Sequence, residues 1–181
     1  MADPTTFLET DRLTLRPLKP EDADNSYLGW LNDPDVLRYR APKAFPSSMA
    51  DLDRYLASAG ERGDLHLAIC EKDDGRHVGN VSLNSIQWVH RSAELSIMIG
   101  AKDVWGKGYA REAMERLVRH GFESMGLNRI WAESPNPAFN RSVERMGWRH
   151  EGTKRQAFLL DGRFVDFECW AILATEYRTK G

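Results

Sequence analysis

The strongest hydrophobic pattern in the chain is a strict alternation over residues 93–99, followed by a helical repeat that starts at Tyr109. One side of the alternating run carries Leu95, Ile97 and Ile99, and the other carries Glu94, Ser96 and Met98. Alternation of this kind predicts a strand with one buried face. From residue 109, apolar positions recur every three or four residues, which predicts an amphipathic helix that ends at Gly126.

Shorter segments with strand or helix periodicity follow one another along the rest of the chain. Strands are predicted at residues 12–17, 65–70, 77–83, 129–132, 154–160 and 163–173. Helices are predicted from Pro20, around residues 36–39, from Ser47 or Ser48 to Gly60, and from Pro137 to Gly147 with Asn136 as N-cap. Asp161-Gly162, between the last two strands, is a strong hairpin signal. This order predicts an α+β fold with a mostly antiparallel sheet and one crossover through the long helix.

Length and charge narrow the class of protein. The 181 residues suit a single domain spanning residues 1–181, and a net charge of -2 provides no basic surface for nucleic acid or an anionic membrane. No apolar run approaches the length of a membrane span, and residues 1–4 do not begin a signal peptide. We therefore expect a cytoplasmic protein that is a monomer or a homodimer.

Cysteine and histidine positions predict neither a disulfide nor a metal site. Cys70 and Cys169 both lie in apolar runs, which favours reduced core thiols. The 5 histidines are scattered without the spacing of metal ligands, so no metal is expected.

The turn between the alternating strand and the long helix has the composition of an anion site. The first N–H groups of a helix lack intrahelical partners, and the helix dipole adds partial positive charge there. Gly106 and Gly108 allow a ligand to approach the backbone, while Lys107 and Arg111 add charge. The spacing fits neither a P-loop nor the dinucleotide fingerprint, whose third glycine would fall on Arg111.

This turn resembles the acyl-CoA pyrophosphate loop of the GNAT N-acetyltransferases, in the run Trp105-Gly106-Lys107-Gly108-Tyr109-Ala110. Tryptophan in place of the usual Gln or Arg is typical of their ribosomal-protein-alanine (Rim-type) branch. Three further segments resemble the opening strand, the second helix and the closing hairpin of that branch, namely residues 11–17, 136–148 and 161–166.

The resemblance implies a sheet that is splayed between its middle strands, with helices on both faces. The pantetheine arm of acetyl-CoA, the acetyl donor, would insert between the strands at residues 93–99 and 129–132. The resemblance assigns these residues to the cofactor: Ile97, Met98, Ile99, Trp105, Gly106, Lys107, Gly108, Tyr109, Ala110, Arg111, Asn136 and Asn140. A plain N-cap explains Asn136 equally well.

Acetyl transfer to an amine requires a base and often an acid for the leaving thiolate. Glu94 interrupts an apolar strand beside the loop and is the candidate base, although a carboxylate on a half-exposed strand would look the same. Many family members have tyrosine where this chain has Val143, and Rim-type members have serine where it has Phe139. Asn140 and Ser142 are possible substitutes, and Ser142 is the candidate acid. Either residue could instead belong to the polar face of the helix, which would leave the thiolate unassisted or protonated by water.

The acceptor side is expected to come from the early helices and the last hairpin. Candidate residues are Tyr27, Trp30, Trp88, Asp166 and Glu168, although such aromatics are more often core. The expected reaction is direct transfer in a ternary complex to a primary amine, with a protein N-terminus, an amino-sugar nucleotide, a polyamine and an antibiotic all open. A non-catalytic acyl-CoA-binding or sensor module is the alternative, because both usual acid positions are apolar.

Overall fold

The computed structural model describes residues 5–40, 45–59 and 63–178, so the predicted helix end at Gly60 and residues 1–4 lie outside it. The strands are β1 Leu8–Glu9, β2 Leu13–Pro17, β3 Leu65–Glu71, β4 His77–Gln87, β5 Ser92–Ile99, β6 Arg129–Ser134, β7 Arg149–Leu160 and β8 Arg163–Leu173. The helices are α1 Asn25–Trp30, α2 Pro34–Leu37, α3 Met49–Ser58, α4 Tyr109–Glu123, α5 Pro137–Arg145 and α6 Ala174–Arg178.

All eight strands form one sheet in the order β1-β2-β3-β4-β5-β6-β8-β7. Neighbouring strands are antiparallel except for β5 and β6, which are parallel and joined through α4. The predicted α+β class with a mostly antiparallel sheet and a single crossover is therefore confirmed.

The sheet opens between β5 and β6. Their pairing ends at Glu94 opposite Trp131, after three residue pairs, whereas β5 continues to Ile99 and β6 to Ser134. The gap between the unpaired parts of the two strands is called the splay below. It confirms the splayed sheet that the resemblance implied.

Helices cover both faces of the sheet. On one face, α4 contributes Leu117 and Phe122 to the main core, which also holds Leu95 of β5. On the opposite face, Met98 packs with α1 and α3 in a second cluster. Since Met98 and Glu94 alternate with Leu95, Glu94 lies on this second face, which also carries Trp131 and Glu133 of β6 and is called the Glu94 face below.

Local signals in the sequence set most element ends. Ser48 caps α3 by accepting from the N–H of Asp51, and Asn136 caps α5 by accepting from the N–H of Ala138. The turn at Asp161 and Gly162 has positive φ at both residues (49° and 77°), as an Asp-Gly hairpin requires.

The helix predicted from Pro20 is wrong in one respect, because it is broken into two pieces. Pro20–Asp22 forms a 3₁₀ turn whose Asp22 side chain is buried against Arg16. Asp24 then accepts a hydrogen bond from the N–H of Tyr27 and starts α1 as a separate helix.

Both cysteines are free thiols, with Cys70 buried and Cys169 half-buried. Within residues 5–40, 45–59 and 63–178, none of the helices is both long and apolar enough to span a bilayer. The same described segments contain no cluster of His, Cys, Asp and Glu that could hold a metal ion.

Candidate active site

The turn before α4 is built as the sequence predicts for an anion site. Gly106 and Gly108 have φ values of 79° and 85°, a region that side chains with a Cβ rarely adopt, and Gly108 is the N-cap of α4. A backbone bond near the start of α4 joins the N–H of Glu112 to the carbonyl of Gly108 at 3.1 Å. The N–H groups of residues 109–111 precede this bond in the helix and lack intrahelical acceptors, so they remain available for a phosphate.

An ion pair over a long sequence separation holds this loop in place. The Arg12 guanidinium binds the Glu112 carboxylate through Nε at 2.8 Å and also donates through Nη1 to the carbonyl of Lys107 at 2.9 Å. The same guanidinium lies over the ring of Tyr109, 4.8 Å from its centroid. The residues flanking the loop are thereby tied to the start of β2.

Arg111 has a partner of its own in the protein. Its Nε donates to Glu115 at 2.7 Å, one helical turn further along α4, and about half of each side chain is exposed. Arg111 therefore stays a prediction for cofactor binding, in which a bound anion would compete with Glu115.

The free edge of β5 offers carbonyl oxygens to the splay. The N–H of Gly100 donates to β4, and alternation along a strand then directs the carbonyls of Ile99 and Ile97 to the opposite side. Both oxygens accept bonds from outside β4, from Trp105 Nε1 at 2.9 Å and from Arg40 Nη1 at 2.8 Å. A ligand arm with amide groups could pair with this edge as another strand would.

Asn140 of α5 presents an unused acceptor. Its Nδ2 donates to the carbonyl of Ser134 at 3.3 Å, whereas Oδ1 is buried and finds no donor among the described residues. Buried polar atoms are nearly always paired, so Oδ1 fits a ligand N–H. The splay edge, the left-handed glycines and this orphaned oxygen all suit a pantetheine and pyrophosphate ligand.

Glu94 lies in the last residue pair before the splay opens, and its side chain is half-buried. Burial raises its pKa above the ordinary value of 4.5, and the nearby carboxylate of Glu133 raises it further. A carboxylate with a raised pKa beside an open strand edge suits proton transfer.

Sequence reasoning missed Glu133 because the strand predicted there ended at residue 132. Its carboxylate accepts from Lys154 Nζ at 2.6 Å, and Asp64 also acts on the pKa of Glu94. The alternation that places Trp131 opposite Glu94 also places Glu133 on the Glu94 face, which is the signal that could have found it. These carboxylates would attract a cationic amine.

Asp166 and Glu168 do not join this group. Glu133 pairs with Cys169 of β8, so Glu168 points to the opposite face of the sheet, where it binds His150 and Thr153. Asp166 accepts the N–H of Gln156 and supports an irregular position in β7. The structure therefore does not place either carboxylate with Glu94.

The predicted acceptor aromatics have different surroundings. Tyr27 is buried, and its hydroxyl accepts from Asn80 Nδ2 at 2.7 Å. Trp30 packs so closely on Gly100 that a Cβ on that glycine would lie 1.9 Å from the ring. Trp88 is 58% exposed and lies in the turn between β4 and β5. Tyr27 and Trp30 thus support the helices that cover the Glu94 face, and they are not brought together with Trp88.

The α5 residues at or near the usual acid positions are either bonded within the helix or packed in the core. Ser142 Oγ donates to the carbonyl of Ala138 at 3.0 Å, and Val143 is fully buried in the core. Phe139 packs against the same core. As the structure stands, Ser142 donates its proton within its own helix, so its role as the acid stays a prediction.

The sequence of this chain is similar to known N-acetyltransferases. A family model described as an acetyltransferase (GNAT) domain matches residues 12–149. An uncharacterized N-acetyltransferase, p20 of Bacillus licheniformis, is 31% identical over 94% of this chain and 97% of its own length. The spermidine N(1)-acetyltransferase of Vibrio cholerae is 33% identical over 55% of this chain and 58% of its own length. A putative ribosomal N-acetyltransferase of Bacillus subtilis, YdaF, is 33% identical over 58% of this chain and 57% of its own.

Solved structures agree with the fold. The crystal structure of the Vibrio cholerae spermidine N-acetyltransferase in complex with CoA and spermine superposes with a TM-score of 0.84. The superposition covers 93% of this chain and 99% of the other at 26% sequence identity.

Proposed function

Since the chain belongs to the GNAT family and is an acetyl-CoA-dependent N-acetyltransferase, we propose that it acetylates a primary amine directly, in a ternary complex, with Glu94 as the base. It is thus an enzyme rather than a non-catalytic acyl-CoA-binding module. The observation that carries the proposal is the place of Glu94, which is half-buried at the point where β5 and β6 separate.

Each residue has a definite task in this proposal. Bound acetyl-CoA supplies the activated acetyl group. The amides at the start of α4 hold its pyrophosphate, and the β5 edge at Ile97 and Ile99 aligns its amide arm in the splay. Glu94 takes a proton from the acceptor ammonium, directly or through one water, because only the neutral amine has a lone pair for attack.

For the acceptor, we propose a small cationic amine of the polyamine type. The carboxylates of Glu133 and Asp64 lie close enough to Glu94 to raise its pKa, and this group of negative charges favours a positively charged substrate. The Vibrio cholerae and Escherichia coli relatives named spermidine N(1)-acetyltransferases support this choice. The relative named a putative ribosomal N-acetyltransferase supports the Rim-type branch and makes a protein N-terminus the second candidate.

A panel of amines tests the proposal by following the release of free CoA thiol. Spermidine and spermine should give the fastest release, and a peptide N-terminus, an amino-sugar nucleotide and an aminoglycoside should give little. Fast release with any of these three alone would reassign the acceptor. An absence of release with every amine would contradict the reaction.

The pH dependence of kcat/KM should report the ionisation of Glu94. Activity needs the charged carboxylate, so it should be lost as the pH falls through the raised pKa of Glu94, above the ordinary 4.5. Glu133→Gln removes a negative charge near Glu94, so Glu94 ionises more easily and its pKa falls. The acidic limb of the profile, where kcat/KM declines with falling pH, should therefore move to lower pH.

Lys154→Met should shift the pKa of Glu94 in the opposite direction. Lys154 lowers the pKa of Glu94, so its removal should move the acidic limb to higher pH. The measurement is a kcat/KM profile of the three proteins over the acid range. Identical limbs would show that a group other than Glu94 controls the rate.

A further inference from the structure

Arg40 lies at the free edge of the splay. It follows α2, and its Nη1 donates to the carbonyl of Ile97 at 2.8 Å. Ile97 is three residues beyond Glu94 on β5, roughly 10 Å along the strand. A carbonyl oxygen can accept two bonds, so Arg40 can remain there when a ligand N–H also pairs with Ile97.

This guanidinium is half-buried, and no carboxylate among the described residues pairs with it. Within the described residues it has no ion pair, and its electrostatic neighbours are the hydroxyls of Tyr27 and Tyr55. Burial raises the pKa of both tyrosines, so both stay neutral. Arg16, in contrast, binds both carboxylate oxygens of Asp22, at 2.8 and 2.6 Å.

A half-buried cation without a counter-charge carries part of the desolvation cost of a buried charge, and a negatively charged ligand would offset that cost. Burial lowers the pKa of Arg40, but the ordinary pKa of a guanidinium lies so far above neutrality that the group stays charged. It has five N–H donors, and among the described residues one carbonyl accepts from it. The site around Arg40 therefore suits an anion or an oxygen or sulfur atom that becomes negative.

The reaction produces such an atom. When the C–S bond breaks, its electron pair leaves on sulfur, and the family positions that would protonate it are Val143 and Phe139 here. Ser142 is bonded within its own helix. We propose that Arg40 is a catalytic residue that stabilises the departing CoA thiolate by charge, in place of an acid.

This proposal rests on the proposed function. In the reaction steps, Arg40 supplies charge and no proton. Glu94 receives the ammonium proton, and the amine lone pair forms the C–N bond while the carbonyl electrons move to oxygen. These electrons re-form the carbonyl as the C–S bond breaks, and the nitrogen loses its second proton to water to give the neutral amide. The sulfur then leaves as a thiolate paired with the Arg40 guanidinium and takes a proton from water after release.

The thiol of bound CoA provides a test that needs no acceptor. Thiolate absorbance of the complex with CoA, titrated with pH, gives the thiol pKa. Beside Arg40, this pKa should lie below that of free CoA, because an opposite charge at close range lowers a thiol pKa by about 1 to 3. Arg40→Gln should raise it by about 1 or more, and Arg40→Lys should restore part of the difference.

Arg54→Gln is the matched control. Arg54 lies on α3, is 75% exposed and binds Asp51, so its removal changes the net charge equally without touching the splay. This variant should keep the wild-type thiol pKa. An unchanged pKa in Arg40→Gln, or a wild-type value equal to that of free CoA, would overturn the proposal.

Kinetics separate a catalytic role from a structural one. Arg40→Gln should lower kcat about 10- to 100-fold, because raising the pKa of the leaving thiol by about 1 to 2 makes the thiolate a correspondingly poorer leaving group. Acetyl-CoA affinity should stay within a few fold of the wild-type value. If Arg40 only supported the fold, the variant would lower the melting temperature and CoA affinity but not the thiol pKa. Failure of the amine panel would contradict amine acetylation and leave the CoA titration interpretable.

Discussion

Replacing Glu94 by glutamine should lower turnover by about 10²- to 10⁴-fold, the usual contribution of a positioned general base. Glutamine keeps the size of the side chain and its hydrogen-bonding capacity but cannot accept a proton. Acetyl-CoA affinity should hardly change, because Glu94 lies before the splay opens and the cofactor contacts lie beyond it. Raising the pH should partly restore the rate, since more of the amine is then already neutral.

Glu133→Gln is the matched control for this variant. It removes the same charge from the same face of the sheet while leaving Glu94 in place. If Glu94 acts as the base, Glu133→Gln should shift the pH profile and retain most of kcat with a saturating acceptor. Equal losses in the two variants would indicate that charge alone matters, and near wild-type turnover in Glu94→Gln would reject the assignment.

Replacing Gly108 by valine should abolish measurable acetyl-CoA binding. At φ of 85°, a β-branched residue would force the loop into another conformation and displace the amides that are to hold the pyrophosphate. Charge-assisted hydrogen bonds contribute about 1.5–3 kcal/mol each, so losing two would weaken binding by about 10²- to 10⁴-fold. Isothermal titration calorimetry with acetyl-CoA would measure the loss.

Gly126→Val tests whether strain alone explains the result. Gly126 follows the other end of α4, also has a positive φ of 67°, and a Cβ there would meet nothing within 4 Å. Both variants carry a similar backbone penalty, so both should lose similar thermal stability. Only Gly108→Val should lose the cofactor, and unchanged affinity in a folded Gly108→Val protein would remove the loop from the site.

The parts of the fold that depend on neighbouring residues could be predicted from the sequence. Ser48 and Asn136 cap their helices, and Asp161 with Gly162 forms the expected turn, because these interactions join residues a few positions apart. The alternation in β5 also predicted that Glu94 and Leu95 face opposite sides. The half-buried position of Glu94 depends on residues distant in the sequence, such as Glu133 and Asp64 near it, which no local pattern reveals.

The acceptor side could not be predicted because it depends on pairing between distant strands. The alternation in β8 groups Asp166 with Glu168 but does not say which face of the sheet they share. The pairing of Glu133 with Cys169 decides this and places Glu168 away from Glu94. Arg40 was missed for a similar reason, since its contact with Ile97 joins segments 57 positions apart.

The short junction between β5 and β6 has a consequence for how the sheet moves. Among the described strand pairs, three from Ser92 to Glu94 join β5 of the block β1 to β5 to β6 of the block β6, β8 and β7, so backbone bonds beside this seam should open more readily than those inside either block. A bound pantetheine arm would bridge the two blocks as an additional strand. Amide hydrogens along β5 and β6 should then exchange with solvent more slowly, so that the cofactor completes the sheet and also stiffens the seam between its two halves.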